Sequence, residues 1–146
     1  MPGSWLVDGY NVVFHRSKVA SSGPAHRLRK ARESCLELLA KFQEATGDAV
    51  TVVFDGSIEP LGYTEDRAFQ GAIEVVWSPQ GKTADDTIRG LLDRRKAKPT
   101  LVTSDRELAA SGRQRGCTVV SAADFLARAA EETGGTTPGP ASKPAP

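Results

Sequence analysis

Short apolar runs alternate along this chain with longer stretches in which apolar residues recur every three or four positions. The runs are Ser4–Val7, Val50–Phe54, Ile73–Trp77, Thr100–Thr103 and Cys117–Val120. Val50–Phe54 is continuous and β-branched, as expected of a strand buried on both faces. Pro24 suits the first turn of a helix, Leu28, Ala31, Cys35, Leu38, Leu39 and Phe42 then follow helical spacing, and Gly47 is a stop signal. Thr83 with Asp86 opens another helix, whose apolar face is Ile88, Leu91 and Leu92. Ser104 with Glu107 reads as a capping box for a short helix through Leu108, ended by Gly116. Ser121 caps a last helix with Ala122, Phe125, Leu126 and Ala129 on one face. Gly9 reads as the break after the first strand, and residues 56–72, with Gly56, Pro60, Gly62 and Gly71, read as a loop. Strand–helix alternation with short connections predicts an α/β fold of three layers around a mainly parallel, five-stranded sheet.

Length and composition narrow this only a little. A chain of 146 residues suits one domain with one core. Residues 132–146, nearly all Gly, Thr, Pro, Ala and Ser with a lone Lys143, are expected to form a disordered tail. The net charge of +1 announces no overall field for nucleic acid, but the distribution is uneven. From His15 to Arg32 there are six cations (Arg16, Lys18, Arg27, Arg29, Lys30, Arg32), two histidines and no acid. Cys35 and Cys117 lack metal-ligand or redox spacing and read as buried thiols. Neither a basic-then-apolar leader nor an apolar run of membrane-spanning length is present, so a cytoplasmic location without a membrane partner is expected.

The candidate chemistry lies in aspartates at the ends of the strands. Asp8 follows Trp5-Leu6-Val7, Asp55 follows Val50–Phe54, and Asp105 follows Leu101-Val102-Thr103-Ser104. Asp85 and Asp86 come after Lys82-Thr83-Ala84, a short turn beyond the third strand. Carboxyl ends of parallel strands open on one edge of the sheet, so these acids are expected to converge. Gathered carboxylates repel one another unless protons or cations neutralise them, and hard cations such as Mg²⁺ or Mn²⁺ prefer oxygen ligands. Each signal has a plain alternative. Asp8-Gly9-Tyr10-Asn11 could be only a turn, and so could Asp55-Gly56. Asp85 and Asp86 could simply favour a helix N-terminus, and they point about 100° apart on a helix, so both need not be ligands. Thr83 and Ser104 read as caps as readily as phosphate contacts. The basic run could be a solvated helix face. Arg94, Arg95, Lys96 and Lys98 suit the end of a helix and are given no functional part.

Four motifs in order resemble one family. Asp8-Gly9-Tyr10-Asn11, Val53-Phe54-Asp55-Gly56, Thr83-Ala84-Asp85-Asp86 with Ile88, and Val102-Thr103-Ser104-Asp105-Arg106 look like the NYN domain. The resemblance is to its YacP-like branch of bacterial, PIN-related ribonucleases. It implies a PIN-like domain over residues 1–131 and metal-dependent endonucleolytic cleavage of RNA. It further implies that Asp8, Asp85 and Asp105 bind Mg²⁺ or Mn²⁺, that Asn11 and Asp86 assist, and that Asp55, Thr83 and Ser104 support the site. Arg16, Lys18, Arg27, Arg29, Lys30, Arg32, Lys82 and Arg106 are the expected RNA contacts. The substrate class is mRNA, rRNA or tRNA, with the ribosome as a candidate partner.

The expected reaction is attack of a metal-activated water on a phosphodiester, leaving 5′-phosphate and 3′-hydroxyl ends. Tyr10 and Tyr63 are the candidates for stacking on unpaired bases, with core packing the alternative for Tyr10. A rival from another class is a non-catalytic RNA-binding module, with the ribosome as one candidate partner, that keeps the fold and the acids but cleaves nothing. A phosphoacceptor role for Asp8 or Asp55 is weaker, because the Asp-x-Asp nucleophile pattern is missing.

Overall fold

Burial on both faces makes β1 (Ser4–Asp8) the centre of the sheet, with Leu6 and Val7 fully enclosed. The computed structural model describes residues 3–17, 25–58, 67–70 and 73–134. Among them β1 is followed by α1 (Gly9–Ser17), α2 (Ala25–Thr46), β2 (Ala49–Phe54), a single 3-10 turn (Gly56–Ile58), β3 (Arg67–Gln70) and β4 (Ile73–Trp77). The second half supplies α3 (Ala84–Arg94), β5 (Thr100–Val102), α4 (Arg106–Gln114), β6 (Val119–Val120) and α5 (Ala122–Thr133). The strand order is β3-β4-β2-β1-β5-β6. The five expected strands are all parallel, and β3 adds an antiparallel edge beside β4.

Alternation along the strands divides the core into two layers. Trp5 and Val7 of β1, with Val50, Val52 and Phe54 of β2, pack against α1, α2 and α5. Leu6, Val53 and Leu101 face the other way, against Ile88 and Leu92 of α3 and Leu108 of α4. Among the described residues, no helix is long and apolar enough to cross a membrane.

Three local expectations are corrected. The break at Gly9 is the start of α1: the chain turns from strand to helix with no intervening loop, and Val12 and Val13 are fully buried. The presumed loop contains β3, and its residues 59–66 and 71–72, including Tyr63, lie outside the described residues. The cap of α4 is Asp105, not Ser104. Its Oδ1 accepts from the Leu108 backbone N–H at 2.9 Å, so the helix starts one residue later than the Ser104–Glu107 spacing suggests. Thr83 and Ser121 do cap α3 and α5. At the other end α5 runs through Thr133 to a left-handed Gly134, two residues into the expected tail. The rest of that tail, 135–146, lies outside the described residues.

Candidate active site

The strand order reverses at β1, with β2 and β4 on one side and β5 and β6 on the other. A crevice at the carboxyl ends of the strands is expected where such a reversal occurs. A pocket of about 370 Å³ lies there, lined by Asp8, Tyr10, Asn11, Phe14, Asp55, Thr83, Ala84, Asp85 and Asp105. Its acids arrive from the end of β1, the turn after β2, the first turn of α3 and the cap of α4. Among the described residues, no lysine or arginine lines it.

Asp8 is the innermost acid, only 8% exposed. Burial pushes its carboxyl up to about 7; the Thr103 hydroxyl pulls the other way, and the charges of Asp85, Asp105 and Asp55 add to the rise. Asp85 is half-buried and also raised, first by burial and then by Asp105, with Arg89 opposing. These mutual effects place the carboxylates in one electrostatic neighbourhood.

Two side chains missing from the expected site hold it in shape. Thr103, 2% exposed, donates its hydroxyl to Asp8 Oδ2 at 2.9 Å and accepts from the Asp105 backbone N–H at 3.1 Å. One hydroxyl thereby connects the first and last acids. Its position two residues before Asp105, at a strand end, was the available signal. Thr103→Val is expected to lift the Asp8 titration further and leave the Asp105 amide without its partner, whereas Thr103→Ser keeps both bonds. Carboxyl-carbon NMR titration of Asp8 checks this, and an unmoved titration in Thr103→Val would refute the connection. Phe14 is the second missing residue. It lies four positions after Tyr10 and stacks on its ring at 5.5 Å with an interplanar angle of 15°.

The expected assistants separate into several roles. Asn11 lines the pocket, and its Oδ1 accepts from the Ser104 backbone N–H at 2.8 Å, which ties α1 to the β5–α4 connection. That bond assigns the carbonyl side of the amide and leaves the Nδ2 hydrogens for the pocket. Ser104 is a brace, because its Oγ accepts from the Ala122 N–H at 3.0 Å. Thr83 caps α3 by accepting from the Asp86 N–H at 3.0 Å and also lines the pocket. Asp86 does not line it; it is exposed and faces Arg89 at 3.7 Å. Asp55 does line it, with Oδ1 accepting from the Ser57 hydroxyl at 2.6 Å.

The expected RNA contacts also divide. Arg32 is corrected: it is buried, not on the surface. Its guanidinium donates to the Tyr10 hydroxyl at 3.2 Å and lies 5.1 Å from the centre of the Trp77 ring. Arg16 is half-buried and donates to Ser34 Oγ at 2.8 Å. Arg27, Lys30, Lys82 and Arg106 are exposed, Arg29 is half-exposed, and Lys18 lies outside the described residues. Tyr10 takes the packing role, 4% exposed and 4.9 Å from Phe54 between ring centres.

The donor set suits a hard divalent cation, being made of carboxylates with Asn11 and Thr83 beside them. The carboxylates share the pocket but do not close around a point. Among the described residues, no group of three His, Cys, Asp or Glu is gathered closely enough to hold a metal ion. Closer convergence of Asp8, Asp85 and Asp105 was expected; the bonds that fix Asp8 Oδ2 and Asp105 Oδ1 hold two of the three acids in the observed arrangement.

The sequence profile of the YacP-like NYN domain matches residues 5–137. The chain belongs to this family. NYN domains are generally nucleases. The uncharacterized protein YacP of Bacillus subtilis is 30% identical over 86 residues, which cover 59% of this chain and 49% of that protein. The chain therefore spans about half the length of that curated relative. The crystal structure of Rae1 (YacP) from B. subtilis matches with a TM-score of 0.71 at 26% identity, covering 90% of this chain and 75% of that one. A tryptophan-to-leucine mutant of Rae1 gives a TM-score of 0.72 at 25% identity, with 89% and 76% covered. The α/β architecture is thus that of the NYN, PIN-like fold.

Proposed function

We propose that this NYN domain is a divalent-metal-dependent endoribonuclease that hydrolyses RNA phosphodiester bonds. The observation that carries the reading is the meeting of Asp8, Asp55, Asp85 and Asp105 in one pocket at the reversal of strand order, with no lysine or arginine among its described lining residues. Such a site repels a phosphate until positive charge is added. A bound Mg²⁺ or Mn²⁺ supplies that charge and lowers the pKa of a bound water.

Asp8, Asp85 and Asp105 are the residues that would hold the ion. Water would complete a shell that the protein leaves open, as is usual for Mg²⁺. Asp8 has Oδ1 for this task because Thr103 occupies Oδ2, and Asp105 has Oδ2 because its own helix occupies Oδ1. Asn11 can donate from Nδ2 to a phosphate oxygen while its carbonyl stays on Ser104. Asp86, outside the pocket, acts at most through α3 and Arg89. The test is cleavage of structured and ribosomal RNA with Mg²⁺ or Mn²⁺. Activity that persists undiminished in excess chelator would rule out the metal-dependent mechanism.

The exposed cations are the remaining candidates for RNA contact. Arg27→Glu with Lys30→Glu is expected to weaken binding across RNA sequences and to flatten the salt dependence, by about 0.7 in log K per log salt for each lost phosphate contact. Filter binding over a salt series measures this. An unchanged slope would return these side chains to a solvated face. Arg32→Gln, by contrast, should lower thermal stability, because it strips a buried hydrogen bond from Tyr10 and a ring contact from Trp77.

The alternative of a non-catalytic RNA-binding module is favoured by the openness of the acidic set, which holds no ready three-ligand group among the described residues. The two readings part on whether wild-type protein cuts any RNA that it binds.

A further inference from the structure

We propose that Phe14 is a stacking platform for one unpaired nucleobase, adjacent to the phosphate at the acids; this rests on the endoribonuclease reading. Phe14 and Tyr10 are one turn apart on α1, and their rings are nearly parallel, 15° apart at 5.5 Å. Tyr10 is buried and tied down, with its hydroxyl accepting from Arg32 and its ring against Phe54. Phe14 differs. Tyr10 covers one face of its ring, yet the residue remains half-exposed and lines the same pocket as Asp8, Asp85 and Asp105.

An apolar side chain that only completed the core would gain most by full burial. Phe14 instead offers a flat ring, braced from behind, beside a site that must grip a nucleotide. Among the described residues no lysine or arginine lines the pocket, so no described side-chain cation can hold the substrate inside it. Stacking can, and it tolerates any base because every base has a π face. The volume of about 370 Å³ is at the small end of ligand pockets, which run from roughly 300 to 1,000 Å³. It has room for a single nucleotide turned inward rather than for a paired duplex. The substrate class is therefore RNA that is unpaired at the cleavage point, such as a loop, a bulge or a single strand.

The probe is a short single-stranded RNA carrying 2-aminopurine, whose fluorescence falls on stacking. It is titrated in Mg²⁺ against full-length Asp8→Asn, which is meant to bind without cutting. Phe14→Leu keeps an apolar side chain of similar size but has no ring, and Phe14→Trp keeps a ring. The expected result is quenching with Asp8→Asn, loss of the quench and about 5- to 100-fold weaker binding when Phe14→Leu is added, and recovery with Phe14→Trp. Thermal melting confirms that each variant is folded. Quenching and affinity unchanged by Phe14→Leu would overturn the platform while leaving the nuclease reading intact. Failure of wild type and Asp8→Asn alike to bind the oligonucleotide would overturn both. Equal binding of the same probe within a perfect duplex would also overturn the requirement for an unpaired base.

Discussion

Asp8→Asn is expected to abolish RNA cleavage and, at neutral pH, to make the protein more stable. The two effects have one origin. Asp8 is held at 8% exposure among other acids, and its carboxyl is raised from 3.8 to about 7. Below pH 3.8 the group is protonated in both folded and unfolded chains, so it contributes no pH-dependent cost. Between 3.8 and about 7 the unfolded chain loses the proton while the folded one keeps it, so stability falls as pH rises. Above about 7 the full penalty is reached, on the order of 4 kcal/mol for the rise from 3.8 to about 7. Asparagine never ionises and retains an oxygen to accept from Thr103. The melting temperature of Asp8→Asn should therefore match that of wild type near pH 4, pull ahead up to pH 7 and then hold a constant lead. Mg²⁺ should raise the melting temperature of wild type more than that of the mutant, since a ligand for the folded state stabilises it in proportion to its binding. Cleavage should fall by at least about 100-fold, beyond the loss usual for groups that merely support a metal ligand. Thermal melts across pH and gel assays of RNA cleavage provide the measurements. A mutant that cuts like wild type, or a stability difference that shrinks as pH rises, would sink this account of Asp8.

Much of this site was legible because its acids follow strands whose residues are buried on both faces. Val50–Phe54 carries its signal in a continuous apolar run, and Asp55 at its end joins the pocket as expected. Legibility failed where two local signals overlapped. Ser104 and Glu107 satisfy the spacing of a capping box, yet Asp105 is an equally good cap and allows Ser104 to bridge Asn11 and Ala122. A tertiary bond chose between two sequences of caps that local chemistry could not separate. Arg32 was misplaced for a different reason. It looked like one cation in a basic run, but it is four residues after Leu28 and three before Cys35, on the buried stripe of α2. Helical spacing held that information, and composition concealed it. For α1 the obstacle was glycine, read as a break when its missing side chain was the relevant property. The edge strand β3, which pairs antiparallel with β4, lies inside the glycine- and proline-punctuated span that reads as a loop.

That glycine makes the final expectation a severe one. A Cβ on Gly9 would come within 2.5 Å of two carbons of the Phe54 ring and 2.8 Å of the Val53 carbonyl oxygen. Neither neighbour can yield cheaply. Phe54 is fully buried, with Tyr10 at 4.9 Å and Trp77 at 5.1 Å, and the carbonyl belongs to β2 in the middle of the sheet. Gly9→Ala must therefore push α1 away from β2, at a cost of about 2–4 kcal/mol, the upper part of the range for overpacked cores. The displacement acts on the site directly, because Asp8 precedes Gly9 while Tyr10, Asn11 and Phe14 follow it on the shifted helix. Cleavage should drop more than the folded fraction accounts for, since displacements of about 1 Å can cost roughly 100-fold. Gly47→Ala is the control. Its φ of +74° strains any side chain, but nothing lies within 4 Å of the added carbon and the pocket is on other elements. It should lower stability by about 1 kcal/mol and leave the cleavage rate of folded protein untouched. Denaturant melts with single-turnover cleavage compare the pair. If Gly9→Ala melts and cuts like wild type, the close approach of α1 to β2 is not what positions these acids.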